Sequence, residues 1–223
     1  MKRSEINHLI DQAIKFFDTM NFKLPPWAYW SPGEWKNQID NCKEIIDNQL
    51  GWDLTDFGTG DFMKSGLLLF TIRNGNPGRD QKPYAEKIMI VEENQLTPTH
   101  FHWTKMEDII NRGGGNLVLE LFPSDKNEQI ADHPFTVSTD GVERTCNPGD
   151  RVILTPGESI TLYQGLYHNF YGEMGKGKVM VGEVSSVNND STDNNFLDAL
   201  RFPEIEEDAE PLHLLAGDYL TLK

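Results

Sequence analysis

From about Gly66 onward the chain is a run of short apolar segments separated by turn residues, and this rhythm decides the fold class. The segments LLLFTIR (67–73), EKIMIVEE (86–93), NLVLEL (116–121), FTVST (135–139), VERT (142–145), RVILT (151–155), ITLY (160–163), HNFYG (168–172) and KVMVGEVSSV (178–187) read as strands. NGNPG (74–78) and the glycines 113 to 115 punctuate them, and Asp140-Gly141 is a two-residue hairpin turn. No insertion between the segments is long enough for a crossover helix. The pattern therefore predicts an antiparallel barrel or sandwich and argues against a parallel α/β sheet.

The first fifty or so residues have a different period. After Ser4, Ile6, Leu9, Ile10, Ala13, Ile14, Phe17 and Met20 keep the spacing of one helix face, and Pro25-Pro26 stops it. Ser31-Pro32-Gly33-Glu34 then supplies an N-cap serine, a proline at the first helical position and an acid three residues after the cap. Trp35, Ile39, Cys42 and Ile46 follow on one stripe, with Gly51 just past the expected end. Two amphipathic helices need a surface to cover, and the β segments provide it. The expected organisation is one domain over 1–223, mainly β, with a helical cover over 1–55 and a barrel over 60–223. The acidic, polar stretch 188–210 reads as a loop or flap, and 212–222 as a last strand.

A chain of 223 residues can bury a sizeable core as a single β domain. Its 35 acids against 20 lysines and arginines give a net charge of −15, which makes nucleic acid and anionic membranes poor partners. No apolar run approaches the about 18 residues of a membrane span, and the N-terminal stretch has no apolar signal core. Two cysteines are too few for a disulfide scaffold and fit a reducing compartment. The expected location is the cytoplasm.

The chemistry concentrates in three of the histidines. Alternation along a strand puts His100 and His102 on one face, about 7 Å apart, with Phe101 pointing the other way. Glu107 follows at an odd offset, so the chain must bend around Trp103–Lys105 to return its carboxylate to the same side. A bare H-x-H is a weak signal on its own. The full pattern is stronger: His100-x-His102-x4-Glu107 with a glycine-rich turn from Gly113, then Gly157-x5-Tyr163-x-Gly165-x2-His168.

This pattern resembles the two motifs of the cupin superfamily, an antiparallel β-barrel (jelly roll) that holds a metal on three histidines and a glutamate. Tyr163 stands where the second motif usually has proline and Gly172 where it usually has asparagine; neither is a ligand position. Three imidazoles and a carboxylate without a thiol suit manganese, iron, cobalt or zinc. An octahedral ion on four protein ligands keeps two neighbouring positions for a chelating substrate.

Four further features bear on the site. Lys105, two residues before Glu107, shares its side of a strand and would point inward; a solvated strand-end lysine is an equally good reading. Glu183 shares a face with Val179 and Val181, an acid among inward β-branched residues. Lys87 begins the strand IMIV and reads comfortably as a solvated strand end. Glu204, Glu206 and Glu207 read first as a solvated face, although they follow a loop long enough to reach the barrel mouth. His8, His133 and His213 belong to no motif.

The stretches Thr97–Trp103, Glu107–Asn116, Pro156–Ile160, Gly165–His168 and Gly182–Asn188 are similar to bacterial D-lyxose isomerases. The N-terminal helices and Arg201-Phe202-Pro203 match in kind, so the resemblance spans nearly the whole chain. It implies a metal, usually manganese, on His100, His102, Glu107 and His168. Lys87, Lys105 and a late acid would line the site for a pentose or hexose. The implied activity interconverts D-lyxose and D-xylulose, and often D-mannose and D-fructose.

Aldose–ketose isomerisation moves a hydrogen from C2 to C1 and a proton between O1 and O2. A metal chelating both oxygens steadies an enediolate, and a carboxylate carries the proton. Glu183 is the first choice of base, because apolar neighbours would raise its pKa; Glu204, closing over bound sugar, is the second. Lys87 and Lys105 would hydrogen-bond the sugar. Two rivals stay open at this point: an iron-dependent cupin dioxygenase, favoured by an apolar pocket, and a non-catalytic sugar-binding cupin, favoured by a Glu183 far from the metal. Barrels of this superfamily often pair through their sheets, so a homodimer is the default expectation.

Overall fold

A computed structural model describes residues 1–202 and 204–222, without the side chains of 220–222. Pro203 of the Arg201-Phe202-Pro203 segment thus lies outside the described residues. Among them, helices α1 (Arg3–Thr19), α2 (Pro32–Gln38) and α3 (Lys43–Asp47) come first. Strands follow: β1 (Gly51–Thr55), β2 (Leu67–Arg73), β3 (Tyr84–Val91), β4 (Thr97–Phe101), β5 (Glu107–Gly114), β6 (Leu117–Pro123) and β7 (Phe135–Thr139). They continue with β8 (Val142–Cys146), β9 (Asp150–Leu154), β10 (Ser159–Leu162), β11 (Leu166–Gly172), β12 (Val179–Ser186) and β13 (Asn195–Phe196).

The named strand pairs are antiparallel and build two sheets. One has the order β1-β2-β3-β12-β5-β10-β7-β8, the other β13-β4-β11-β6-β9. The expected mainly β, antiparallel architecture is what the chain forms. The hairpin turn is also where the sequence puts it: Thr139 pairs with Val142, and Asp140 and Gly141 take φ of 51° and 81°. Two consecutive positive φ angles match the right-handed twist of the flanking strands, which is why an Asp-Gly pair serves there.

Alternation along β3 and β12 explains how one sheet serves two cores. Met89, Val91, Val179 and Val181 face the second sheet across an apolar interior with Ile109, Leu119, Leu121 and Phe170. Ile88, Ile90 and Met180 face outward, where Ile6, Ile10, Ala13 and Phe17 of α1 cover them. The larger sheet is therefore apolar on both faces at its centre, and the N-terminal helices pack outside the barrel as expected.

Three local expectations are corrected. The helix expected to run on from Ser31 breaks. Its capping box forms, with Ser31 N–H donating to Glu34 Oε2 at 2.8 Å. Ile39–Asn41 then turns as a 3-10 helix before α3. Asp40 and Asn41 are residue types of low helix propensity, which weakens a helix interior. Helical structure ends at Asp47, and the last residues of the 1–55 segment are strand β1, with Gly51 as its first residue rather than a helix terminator. Its φ of +116° and the Tyr219 hydroxyl packed where a Cβ would stand require glycine. Finally, 212–222 is not a strand: Ala216–Leu222 is a 3-10 helix. Leu214 and Tyr219 pack with Trp35 and Cys42 in one apolar cluster, while Leu215 turns to the core under α1, so the segment does not alternate as a strand would.

Candidate active site

The cavity beside the apolar interior is built at the point where β4, β11, β5, β3 and β12 converge. His100 on β4 lies opposite His168 on β11 in the strand register, with ring centroids 4.3 Å apart. His102, two residues on, has its ring 5.1 Å from His100. Each ring donates Nδ1–H to a backbone carbonyl: His100 to Pro98 at 2.8 Å, His102 to Asp193 at 2.7 Å and His168 to Leu166 at 3.0 Å. Those bonds fix the tautomers and leave Nε2 lone pairs facing inward. The three rings offer nitrogens that all lie within 4.8 Å of one another.

After His102 the chain turns the expected corner through Trp103–Lys105 and enters the other sheet, so Glu107 comes back to the same centre. Its Oε1 is 3.1 Å from His168 Nε2 and 3.5 Å from His102 Nε2. Neither nitrogen hydrogen-bonds to it, and both are fully buried without a partner. Buried polar atoms left unpaired are costly. Lone pairs and a carboxylate oxygen that converge without bonding one another are what a divalent cation requires. Burial first, then the neighbouring imidazoles, hold His100 well below its ordinary value and so neutral. Burial opposes ionisation of Glu107, but the Lys105 ammonium and the two histidines outweigh it and hold the carboxyl well below its ordinary range.

Beside this centre lies a ladder of buried charges. Lys105 Nζ is 2.6 Å from Glu107 Oε2 and donates to Glu183 Oε1 at 2.9 Å. Burial works against the ammonium, but Glu107 and Glu183 more than restore it and hold the group above its usual value. Lys87 is the cross-strand partner of Glu183; its Nζ donates to Asn188 Oδ1 at 2.8 Å and lies 3.6 Å from Glu183 Oε1. Both lysines are inward and buried, so the strand-end readings of Lys87 and Lys105 do not hold. The surroundings expected for Glu183 are also corrected. Its carboxylate meets two ammonium groups and the Ser185 hydroxyl, all at Oε1, instead of apolar side chains. Oε2 makes no hydrogen bond among the described residues.

Glu204 does not join this group. It is exposed, in a neighbouring groove that shares Phe202 and Asp53 with the cavity. The acids after it are tied to the N-terminus: Glu206 N–H donates to the Met1 carbonyl and Arg3 pairs with Glu207 at 2.8 Å. That anchoring draws the segment away from the histidines. Four residues not singled out by their sequence do line the cavity or its rim. Asp190 sits 3.4 Å from Lys87, and Asp193 accepts N–H bonds from Thr104 and Lys105. Asp53 comes from β1, and Thr97 presents a buried hydroxyl without a partner. The 188–195 run was readable only as a polar loop, and Asp53 lay in the stretch expected to be helical.

The cavity itself is about 140 Å³ and is lined by Phe57, Phe196 and Phe202, whose rings pack on one another. That volume suits one small solute rather than a polymer. With buried lysines, carboxylates and imidazoles, it can chelate neighbouring oxygens, hold an oxyanion and carry a proton.

The profile of the D-lyxose isomerase family matches residues 1–219. A Serratia proteamaculans protein named D-lyxose/D-mannose isomerase is 51% identical over 225 residues, spanning 99% of this chain and 98% of that protein. One of the same name from Escherichia coli O157:H7 is 50% identical over 224 residues, 98% of each. Among solved structures, the ligand-free L-ribose isomerase of Cellulomonas parahominis gives a TM-score of 0.58 at 14% identity, over 92% of this chain and 98% of that one. The Geodermatophilus obscurus L-ribose isomerase gives 0.57 at 16% identity over the same shares. At such identity the likeness shows a shared fold.

Proposed function

The chain belongs to the D-lyxose isomerase family, a family of sugar isomerases, and from that premise we propose that it is a divalent-metal enzyme interconverting D-lyxose with D-xylulose and D-mannose with D-fructose. The observation that carries this reading is the Lys105 bridge, which puts Glu183 one ammonium away from Glu107 and the inward imidazoles. His100, His102, His168 and Glu107 would hold the ion, manganese first, with cobalt, iron or zinc as substitutes. When bound, it supplies a Lewis acid for two neighbouring sugar oxygens.

The chain's own groups supply the rest. Glu183 takes the C2 proton and returns it to C1; Lys105 and Ser185 fix Oε1, so Oε2 is the oxygen that carries it. Lys105, held as ammonium, donates to the oxygen where negative charge develops. Lys87 donates to a further hydroxyl. Lys105 and Lys87 hold the Glu183 carboxylate in place through Oε1. Phe57, Phe196 and Phe202 keep bulk water from the intermediate.

Neither rival fits as well. A dioxygenase pocket would be apolar, whereas this one carries Lys87, Lys105, Glu183 and Asp190. A passive sugar binder needs no acid beside the ion site. We also propose a cytoplasmic homodimer, paired through the outer face of β12 and its neighbours, where Tyr84, Met106 and Val184 are exposed.

The test is a ketose assay on purified protein before and after chelation. Lyxose and mannose share the relation of their C2 and C3 hydroxyls and should turn over far better than xylose and glucose, whose C2 epimeric centre moves the chelated oxygen. Equal kcat/KM for lyxose and xylose would contradict the substrate assignment, and activity untouched by chelation would contradict the metal.

A further inference from the structure

Asp53 is an acid in an apolar rank. Along β1, Trp52 and Leu54 turn to the helical layer, while Asp53 and Thr55 turn to the histidine cavity. In the strand register Asp53 sits beside Leu69, which pairs with Met89. Among the described residues no lysine or arginine lies within ion-pair distance of it. Its hydrogen bond is a local one, from Leu54 N–H to Oδ1 at 2.8 Å, which leaves Oδ2 open to the cavity. Glu107, Glu183 and Asp190, by contrast, are all engaged by Lys105 or Lys87.

The charged groups around Asp53 come from four directions. Asp190 faces it from the segment after β12, Lys87 from β3 and Asp218 from the C-terminal 3-10 helix. Asp56 and Glu204 rim the adjoining groove. Enclosure by protein, then the Asp190 charge, push its carboxyl up to about 6, against a smaller pull from Lys87. Asp53 is nonetheless solvent-exposed, so its place on the cavity wall, with Oδ2 unbonded among the described residues, carries the argument and the upward direction only agrees with it.

We propose that Asp53 is the acid–base group that opens the sugar ring, a role that rests on the isomerase reading above. Pentoses and hexoses in water are almost wholly cyclic, and exchange between C1 and C2 needs the open chain. In the opening step the bond from C1 to the ring oxygen breaks, and that oxygen takes the proton of the Asp53 carboxyl. The C1 hydroxyl gives its proton to cavity water, and C1 becomes a carbonyl carbon. Asp53, now ionised, accepts a hydrogen bond from the new hydroxyl and takes a proton back from cavity water before the next turnover. In a pentopyranose the ring oxygen becomes the terminal hydroxyl. Once the chain has opened and extended, Asp53 stands at that far end, three strands from Glu183 across the sheet at about 4.8 Å per strand.

The experiment compares wild type with Asp53→Asn, which keeps the shape and loses the titrating proton. Exchange between the α and β anomers of lyxose is followed by NMR, independently of ketose formation. Wild type should accelerate it above the spontaneous rate, with an inflection near pH 6, and Asp53→Asn should not. The kcat/KM loss of the variant on lyxose should exceed its loss on glyceraldehyde, which cannot close a ring, by about tenfold or more. Asp53→Glu should restore part of the anomer exchange, and an unchanged melting temperature checks the fold. Wild-type anomer exchange in Asp53→Asn, or equal losses on the two aldoses, would overturn the proposal. A wild-type protein that isomerises no aldose would instead remove the isomerase reading, before any variant is made.

Discussion

The backbone carbonyl of Asp193 accepts the Nδ1–H of His102 at 2.7 Å, while its carboxylate accepts the N–H groups of Thr104 and Lys105 at 2.8 and 2.9 Å. A residue from the loop after β12 thus sets the tautomer of one candidate ligand and pins the corner between β4 and β5. Partners that orient a ligand commonly matter about 10–100-fold in metal affinity. Asp193→Ala should weaken manganese binding by that order, and should lower stability because the buried Lys105 N–H and the Thr104 N–H lose their acceptor. Titration of the metal-stripped protein measures it. Unchanged affinity would mean that the corner holds itself.

Loss of an imidazole acts more directly. His102→Ala or His168→Ala removes one of the converging lone pairs and should leave the purified protein without stoichiometric metal. Chelation of wild type should abolish activity, and added manganese should restore it. A fully active variant lacking metal would refute the ligand set.

How much of this was legible beforehand follows from the range of each interaction. The H-x-H pair and the parity of Lys105 with Glu107 are strand-local, so alternation alone placed them on one side. The return of Glu107 demanded a bend at Trp103–Lys105, and the chain turns a corner between sheets there. The partners of Glu183 were not legible. Lys87 meets it only through a register set between strands nearly a hundred residues apart, and period two says which face a side chain takes, never what stands opposite. Asp190 and Asp193 sit in irregular backbone with no period to read. Glu204 was misplaced for a related reason: the destination of its segment is fixed by Arg3 and Met1, at the other end of the chain.

That N-terminal anchor makes its own prediction. Buried Arg3 donates to Glu207 at 2.8 and 2.9 Å and to Asp218 at 2.9 and 3.0 Å. Arg3→Ala should cost about 1–3 kcal/mol, read as a fall in Tm of roughly 2–4 °C per kcal/mol. The Arg3 side chain holds the Glu207 carboxyl below its ordinary value. A depressed carboxyl contributes stability above its unfolded pKa, and the contribution fades as pH falls through the folded one. Glu207→Gln should therefore lower Tm at pH 7 and lose that difference on the acid side, below the ordinary carboxylate range, with kcat unchanged. Loss of kcat at full stability would return the acid to the active site.

The hydrogen's route is the sharpest test of Glu183. A hydride shift between C2 and C1 needs no base, whereas proton transfer needs a carboxylate with a free oxygen facing the reacting carbons. Oε2 of Glu183 is the candidate for that oxygen, since Lys105, Lys87 and Ser185 all engage Oε1. A proton resting on a carboxyl exchanges with water for as long as it stays there. Aldose deuterated at C2 should give ketose that has lost part of its label at C1, and unlabelled aldose turned over in heavy water should gain deuterium at that carbon. Glu183→Gln should lower kcat by about a hundredfold or more while metal content stays intact, because the residue is placed beside the ligands and not among them. Mass spectrometry of the ketose and metal analysis of the variant read the two halves separately. Full retention of the C2 label at C1 would point to a hydride shift and withdraw Glu183 as the base.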